Sequence, residues 1–272
     1  MTSAVFLELG PFQWLAIILA MGTGVLFFDA LVGHYRHRFG YRLQYAPLAV
    51  GTLVILAAVL AAARPSVTWV ITALEMCGWG AAVTGLVGFG YHWYYGIVKK
   101  PAGLAWFLHY LMYGAPLLFP LMLTSMGLLA VIVAAGLSGA RMVFGAPMPT
   151  ALCLFVAVVL LGSILQAGIL HYRGAFNNPA MYLPLSIPVV TVAVALWVAE
   201  SPSAANETVF AILLWSTLLI GFTGFGMHLR GIDRQMGGLY VALFNLMQGP
   251  PQGVPGIFVA LAGVGLVAVY LL

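Results

Sequence analysis

Four histidines, His34, His92, His171 and His228, recur at matching places in the two halves of the chain. Imidazole holds haem iron, copper or zinc near neutral pH, so a duplicated set of four is a candidate cofactor site. His34-Tyr35-Arg36 through Tyr45-Ala46-Pro47-Leu48 aligns without a gap on His171-Tyr172-Arg173 through Tyr182-Leu183-Pro184-Leu185. Gly85-Leu86-Val87-Gly88-Phe89-Gly90-Tyr91-His92 aligns on Gly221-Phe222-Thr223-Gly224-Phe225-Gly226-Met227-His228. Leu111-Met112-Tyr113-Gly114-Ala115-Pro116, with Pro120, aligns on Leu246-Met247-Gln248-Gly249-Pro250-Pro251, with Pro255. The offset drifts only from 137 (His34 to His171) to 135 (Pro116 to Pro251), which marks an internal duplication. The apolar filler has drifted, while His, Gly, Pro and a Tyr-Arg pair are kept.

Around the third-span pair, Gly88 and Gly85 precede His92 by four and seven residues and share its helical face, as Gly224 and Gly221 do for His228. A ligand beside a bare glycine groove could receive a flat macrocycle, as membrane b-type haems require. The competing reading is helix packing, since small residues four apart let helices approach closely in lipid. Arg36, Arg173 and Arg230 are then candidates for haem propionates, because a guanidinium donates bidentately to a carboxylate. An interfacial belt of aromatic and basic residues accounts for the same pattern without a ligand.

The remaining polar residues are sparse. His37 and His109 face Gly174 and Phe244 in the alignment, so the second half does without them. Asp29 lies near the end of the first span, where an ionisable group is costly and needs a partner; its counterpart is Gln166. Glu75 lies near the opposite face, opposite Ala211. A carboxylate-bridged di-iron site would need several more acids, so the candidate metals are haem iron, copper or zinc at His34, His92, His171 and His228. Cys77 and Cys153 have no close partner in sequence and form no CxxC site. No P-loop, HExxH, nucleophile elbow or EF-hand loop is present, and the GFG tripeptides lie in an apolar segment rather than after a strand.

The elements that must position these residues are membrane helices. The 272 residues are 63% hydrophobic and 6% charged, against about 25% charged in an ordinary soluble domain. Apolar runs long enough to span a bilayer fall at 11–32, 46–63, 67–91, 116–136, 149–170, 182–199, 207–227 and 253–272. Four fall in each repeat. The expected fold is an all-α polytopic membrane protein: two tandem parallel four-helix repeats, 1–137 and 138–272, with a pseudo-two-fold axis along the membrane normal. Between the third and fourth spans of each repeat, 103–112 and 238–247 read as short surface or dipping helices, broken by Gly-Ala-Pro and Gly-Pro-Pro. Trp106, His109, Tyr110 and Tyr113, and Tyr240, Asn245 and Gln248, are candidate linings of a quinone or lipid-headgroup cavity there; the competing reading is an interfacial elbow that closes the bundle. Asn177-Asn178-Pro179 reads as a turn.

Arg36, Arg38, Arg42, Lys99, Lys100, Arg173, Arg230 and Arg234 fall at one end of the spans; Arg64 and Arg141 fall at the other with Glu8, Glu200 and Glu207. The positive-inside rule then makes the basic end cytoplasmic and both termini external. Met1 to Gly10 carries Glu8 and no basic segment, which argues against a cleavable signal peptide. The calculated pI near 9.2 is a topology signal and implies no nucleic acid.

The function expected from these residues is a cytochrome b-like subunit of the bacterial inner membrane. It would bind haem b near the cytoplasmic face and pass electrons between a protein partner on that side and quinone. A non-haem copper or zinc site, and a cofactor-free anchor or scaffold, are the alternatives. The histidines would respectively face across a slot, converge on a point, or splay toward headgroups.

Overall fold

A computed structural model describes residues 9–272; Glu8 and the rest of the N-terminal segment lie outside them. Ten α-helices follow in order: α1 (Pro11–Arg36), α2 (Ala46–Ala63), α3 (Thr68–Trp93), α4 (Leu104–Tyr113), α5 (Phe119–Leu137), α6 (Met148–Arg173), α7 (Ile187–Glu200), α8 (Ala204–Asp233), α9 (Ala242–Gln248) and α10 (Gly253–Tyr270). All but α4 and α9 belong to eight segments long and apolar enough to cross a membrane. The chain is thus an all-α polytopic membrane protein.

Four spans, α1, α3, α6 and α8, are longer than the apolar runs alone indicate. Hydropathy falls at the interface while the backbone stays helical, so α1 runs to Arg36 and α8 to Asp233. All four repeated histidines consequently lie inside helices. α3 widens after His92 into a π-turn over Tyr94–Val98, which α8 lacks. The seventh helix is preceded by a 3-10 segment, Pro179–Leu185.

More than half of α5, α6 and α10 is buried, and about a third or less of the other spans. α1 packs on α5 and α10, and α6 packs on α10 and α5. α5, α6 and α10 form the core with the inner face of α1, and α2, α3, α7 and α8 surround it. Lipid tails are as apolar as leucine, so burial alone does not drive helices together there; close contact does. At the α3–α5 crossing a Cβ on Gly78 would lie 2.8 Å from the carbonyl oxygen of Gly127.

The connections repeat in detail. After α1, Arg38 and Phe39 adopt left-handed φ of 55° and 46°; after α6, Ala175 and Phe176 adopt 54° and 48°. Left-handed backbone is costly for non-glycine residues, so two matched pairs need matched compensation. It comes from the backbone: Phe39 N–H donates to His34 O at 3.1 Å, and Phe176 N–H to His171 O at 3.1 Å. The rings add to it. Phe39 stacks on Tyr45 at 4.4 Å and Phe176 on Tyr182 at 4.5 Å. Gly40, which signals the helix end in sequence, is not the left-handed residue. The Asn177–Pro179 turn is as expected, with the Asn178 carboxamide accepting from Ala180 N–H at 3.0 Å. Between α5 and α6 a two-residue hairpin turns at Phe144-Gly145, both with positive φ, as a tight antiparallel turn requires.

Candidate functional site

Each short helix is separated from the next span by an elbow. In elbow 1, between α4 and α5, Gly114 is extended (φ −76°, ψ 175°); in elbow 2, between α9 and α10, Gly249 is extended (φ −77°, ψ −177°). Pro116 and Pro251 follow two residues on and prevent the helix from resuming immediately. A break of this kind exposes carbonyls at the end of the short helix and amides at the start of the next, and each needs a partner. The repeated polar residues supply them.

His92 Nδ1 lies 3.2 Å from the Pro116 carbonyl oxygen, and His228 Nδ1 lies 2.7 Å from that of Pro251. A carbonyl only accepts, so Nδ1 is the donor in both contacts, and in the neutral ring Nε2 keeps its lone pair. His171 has the same tautomer, donating from Nδ1 to Met181 O at 2.8 Å. His34 differs: its Nδ1 is buried without a partner among the described residues. His34 lies within electrostatic reach of His92 and His37, and His228 within reach of His171. Among the described residues no three or more His, Cys, Asp or Glu groups are arranged to hold a metal ion, so the four histidines form no single four-fold centre.

The other elbow contacts cross between the halves. Arg36, at the end of α1, donates to Met247 O and, at 3.3 Å, to Gly249 O, closing the end of α9. Arg173, at the end of α6, donates to Leu111 O at 2.6 Å, closing α4. One helical face back along α1, the Asp29 carboxylate accepts from Gln252 N–H at 3.1 Å and from Gly253 N–H, capping α10. On α6, Gln166 Oε1 accepts from Leu118 N–H at 3.2 Å, at the start of α5. Each first span thus fastens the broken segment of the opposite half. A cation lies at a helix C-terminus and an oxygen acceptor at the next N-terminus, the polarity that helix dipoles favour.

The glycines thought to form a groove are filled by neighbouring helices. A Cβ on Gly85 would come 2.5 Å from Pro120 O, and one on Gly221 would come 2.7 Å from the Val259 side chain. Gly88 and Gly224 face Pro120 and Pro255 at 3.2 and 3.3 Å. Their place here is to bring α3 onto α5 and α8 onto α10. Arg36 and Arg173 are committed to backbone carbonyls, which leaves Arg230, exposed near the end of α8, as the free member of the expected propionate set. Asp29 has found the partner its depth requires. Glu75 is exposed at the far end and takes no part.

Sequence reasoning named Tyr110 and Asn245 as cavity linings and missed Ile232; all three lie buried at the elbows. Tyr110 is buried against Gly96 and Gly114; a Cβ on Gly114 would lie 2.5 Å from its ring. Burial pushes the Tyr110 phenol above its ordinary value, and nearby Arg173 partly offsets this. In the second half the counterparts of Gly96 and Tyr110 are Ile232 and Asn245. Ile232 is fully buried and lies where a Cβ on Gly249 would be 2.7 Å away. The Asn245 amide donates to Gly238 O at 2.8 Å and Met236 O at 3.3 Å. The volume has moved from one helix to the other: glycine with tyrosine in one copy, isoleucine with asparagine in the other. The paired change at aligned positions was the available signal.

The expected cavity residues divide. Trp106 Nε1 donates to Gly96 O at 2.9 Å, and the His109 ring lies between Trp106 and Tyr113 at 5.1 and 5.0 Å. Tyr240 is fully exposed, Asn245 is buried, and the Gln248 side chain lies outside what is described. An open cavity of about 510 Å³ is lined by Gln235, Met236, Gly237, Val241, Phe244 and Asn245 beside α9. Compared with known proteins, the chain matches no family model, no curated protein and no solved structure.

Proposed function

We propose that this chain is a cytochrome b-like subunit of a bacterial inner-membrane electron-transfer assembly. Two parallel four-span repeats, 1–137 and 138–272, are related by a pseudo-two-fold axis along the membrane normal, with the basic end cytoplasmic and both termini outside. The matched turns after α1 and α6, and the matched elbows, support that arrangement. Each repeat offers one imidazole pair, His34 with His92 and His171 with His228. A b haem at either pair supplies one-electron chemistry between a cytoplasmic protein partner and quinone.

The observation that carries the reading is the contact of three histidine Nδ1 atoms with backbone carbonyls. A ligating histidine characteristically donates its other ring N–H to a carboxylate or backbone carbonyl, which fixes its tautomer and orientation. His92, His171 and His228 all do so, leaving Nε2 as donor atom. The imidazoles thus present the donor atom that a haem ligand needs; Gly85, Gly88, Gly221 and Gly224 pack on neighbouring helices, Arg36 and Arg173 hold backbone carbonyls, and of the expected set Arg230, which has no such commitment among the described residues, is the one proposed to meet a propionate. Copper or zinc at one pair would need further donors from outside the chain.

A second reading has its own support. All the repeated histidines and arginines of the His-Tyr-Arg and third-span motifs except His34 are engaged in holding the elbows and turns, which is what a cofactor-free anchor or scaffold requires. Optical spectra of the detergent-purified protein, oxidised and reduced with dithionite, and total metal analysis separate the readings. A Soret band with sharp reduced α and β bands is expected, lost in His92→Gln or His228→Gln. Glutamine retains an N–H for the proline carbonyl, so loss of the spectrum then reports ligation and not a broken elbow. A colourless protein with stoichiometric copper or zinc assigns the metal site. One free of both, even after expression with added haem, is a scaffold.

A further inference from the structure

The two halves are alike at the elbows and unlike at the rim above them. Arg38, Arg42, Lys99 and Lys100 are exposed at the basic end of the first half. Their aligned counterparts are Ala175, Pro179, Gln235 and Met236, none of them charged. The second half carries Arg230, Asp233 and Arg234 instead, an interspersed set of lower net charge. His37, facing Gly174 in the alignment, adds an imidazole on the first side only.

The four cations lie at one end of three successively packed helices. α2 packs on both α1 and α3, so the turn after α1 with Arg38, the start of the second span with Arg42 and the end of α3 share one rim. The π-turn over Tyr94–Val98 then carries Lys99 and Lys100 beyond His92, with Lys99 Nζ 5.3 Å from the centre of the Tyr95 ring. No carboxylate among the described residues pairs with any of the four. Exposed Tyr35, Tyr41, Tyr94 and Tyr95 lie among them in the same segments, at 48 to 74% exposure. Unpaired cations among exposed tyrosines make a surface that an acidic counterpart complements.

We infer that this rim is the docking surface for the acidic face of a partner protein, seated over the His34–His92 pair. An anionic membrane is the other source of negative charge. However, both halves would meet the same leaflet, and a lipid surface gives no reason to confine four cations to one of them. A discrete partner does. The inference rests on the partner and topology parts of the proposed function but not on the haem. A spectrum tests the haem, and binding tests the surface, so either can fail alone.

The test uses the full chain in nanodiscs of phosphatidylcholine, with fluorescein-labelled poly-glutamate as probe and anisotropy as readout. Native protein is expected to bind, more weakly as salt screens the contact. The combined Arg38→Gln, Arg42→Gln, Lys99→Gln and Lys100→Gln variant should lose affinity by about tenfold or more, whereas Arg230→Gln with Arg234→Gln should change it by less than about twofold. All six side chains are exposed, and an unchanged thermal unfolding midpoint confirms folding. Equal losses in the two variants would overturn the inference, as would no binding by native protein. So would probe binding that vanishes when the discs carry anionic lipid, since headgroups would then occupy the patch.

Discussion

Elbow 1 and elbow 2 share a backbone path and differ in how firmly they are held. At elbow 2 a carboxylate accepts two backbone amides and a guanidinium reaches two carbonyls, with the His228 contact at 2.7 Å. At elbow 1 a neutral amide accepts one, a guanidinium reaches one, and the His92 contact is 3.2 Å. Hydrogen bonds to charged groups contribute about 1.5–3 kcal/mol each against roughly 1 kcal/mol for neutral ones. Duplication has therefore kept the design of the joint while making one copy stronger. Both joints are also packed, elbow 1 by the larger Tyr110 and elbow 2 by Ile232, so elbow 1 leans more on packing and elbow 2 more on charge.

The largest effect is expected from Asp29→Ala. It leaves the first amides of α10 without an acceptor in a low-dielectric site, at a cost of about 3 kcal/mol. Hydrogen exchange at Gln252 and Gly253 should accelerate while that at Leu118 stays unchanged. Equal acceleration at both elbows would show that they are not separately fastened.

Next in size is the packing exchange. Gly96→Ile alone would crowd Tyr110 and cost about 2 kcal/mol, an overpacking penalty. Adding Tyr110→Asn, which reproduces the second half's combination, should recover more than half of the lost thermal stability. Additive losses in this double-mutant cycle would refute compensation between the two positions.

Gln166→Ala should be the mildest of the three, about 1 kcal/mol, because it removes one neutral bond. Gln166 already carries a cost, since its Nε2 is buried without a partner among the described residues. Exchange at Leu118 should rise in that variant and leave Gly253 unaffected. If Gly253 responds as strongly, the crossed clasps act as one unit and the contrast between the elbows disappears.

The positions of the joints were legible in one dimension. Gly114-Ala115-Pro116 and Gly249-Pro250-Pro251 mark breaks in sequence because proline removes a donor wherever it sits. Six of the eight spans followed from hydropathy to within about four residues; α8 runs six residues further, to Asp233, and α7 began late because Pro184 and Pro188 flank Ser186, where the helix restarts. The site was less legible. Gly85 and Gly221 beside histidines suggest either a groove or a helix contact, and the spacing is identical for both. Only the path of α5 and α10 fills them.

The sequence by itself determined that this chain is a helical membrane protein, where its helices break, and which polar residues are repeated. Those properties are local: apolar length, proline chemistry and identity at an offset. The tertiary structure decided which half each clasp serves. Arg36 and Asp29 reach residues 211 and 224 positions away, yet an equivalent elbow lies in their own half. Two near-identical joints make near and crossed pairing equally consistent with sequence. Placing α1 against α10 in the core makes the crossed contact the available one for α1, and Arg173 and Gln166 on α6 make the corresponding crossing to elbow 1.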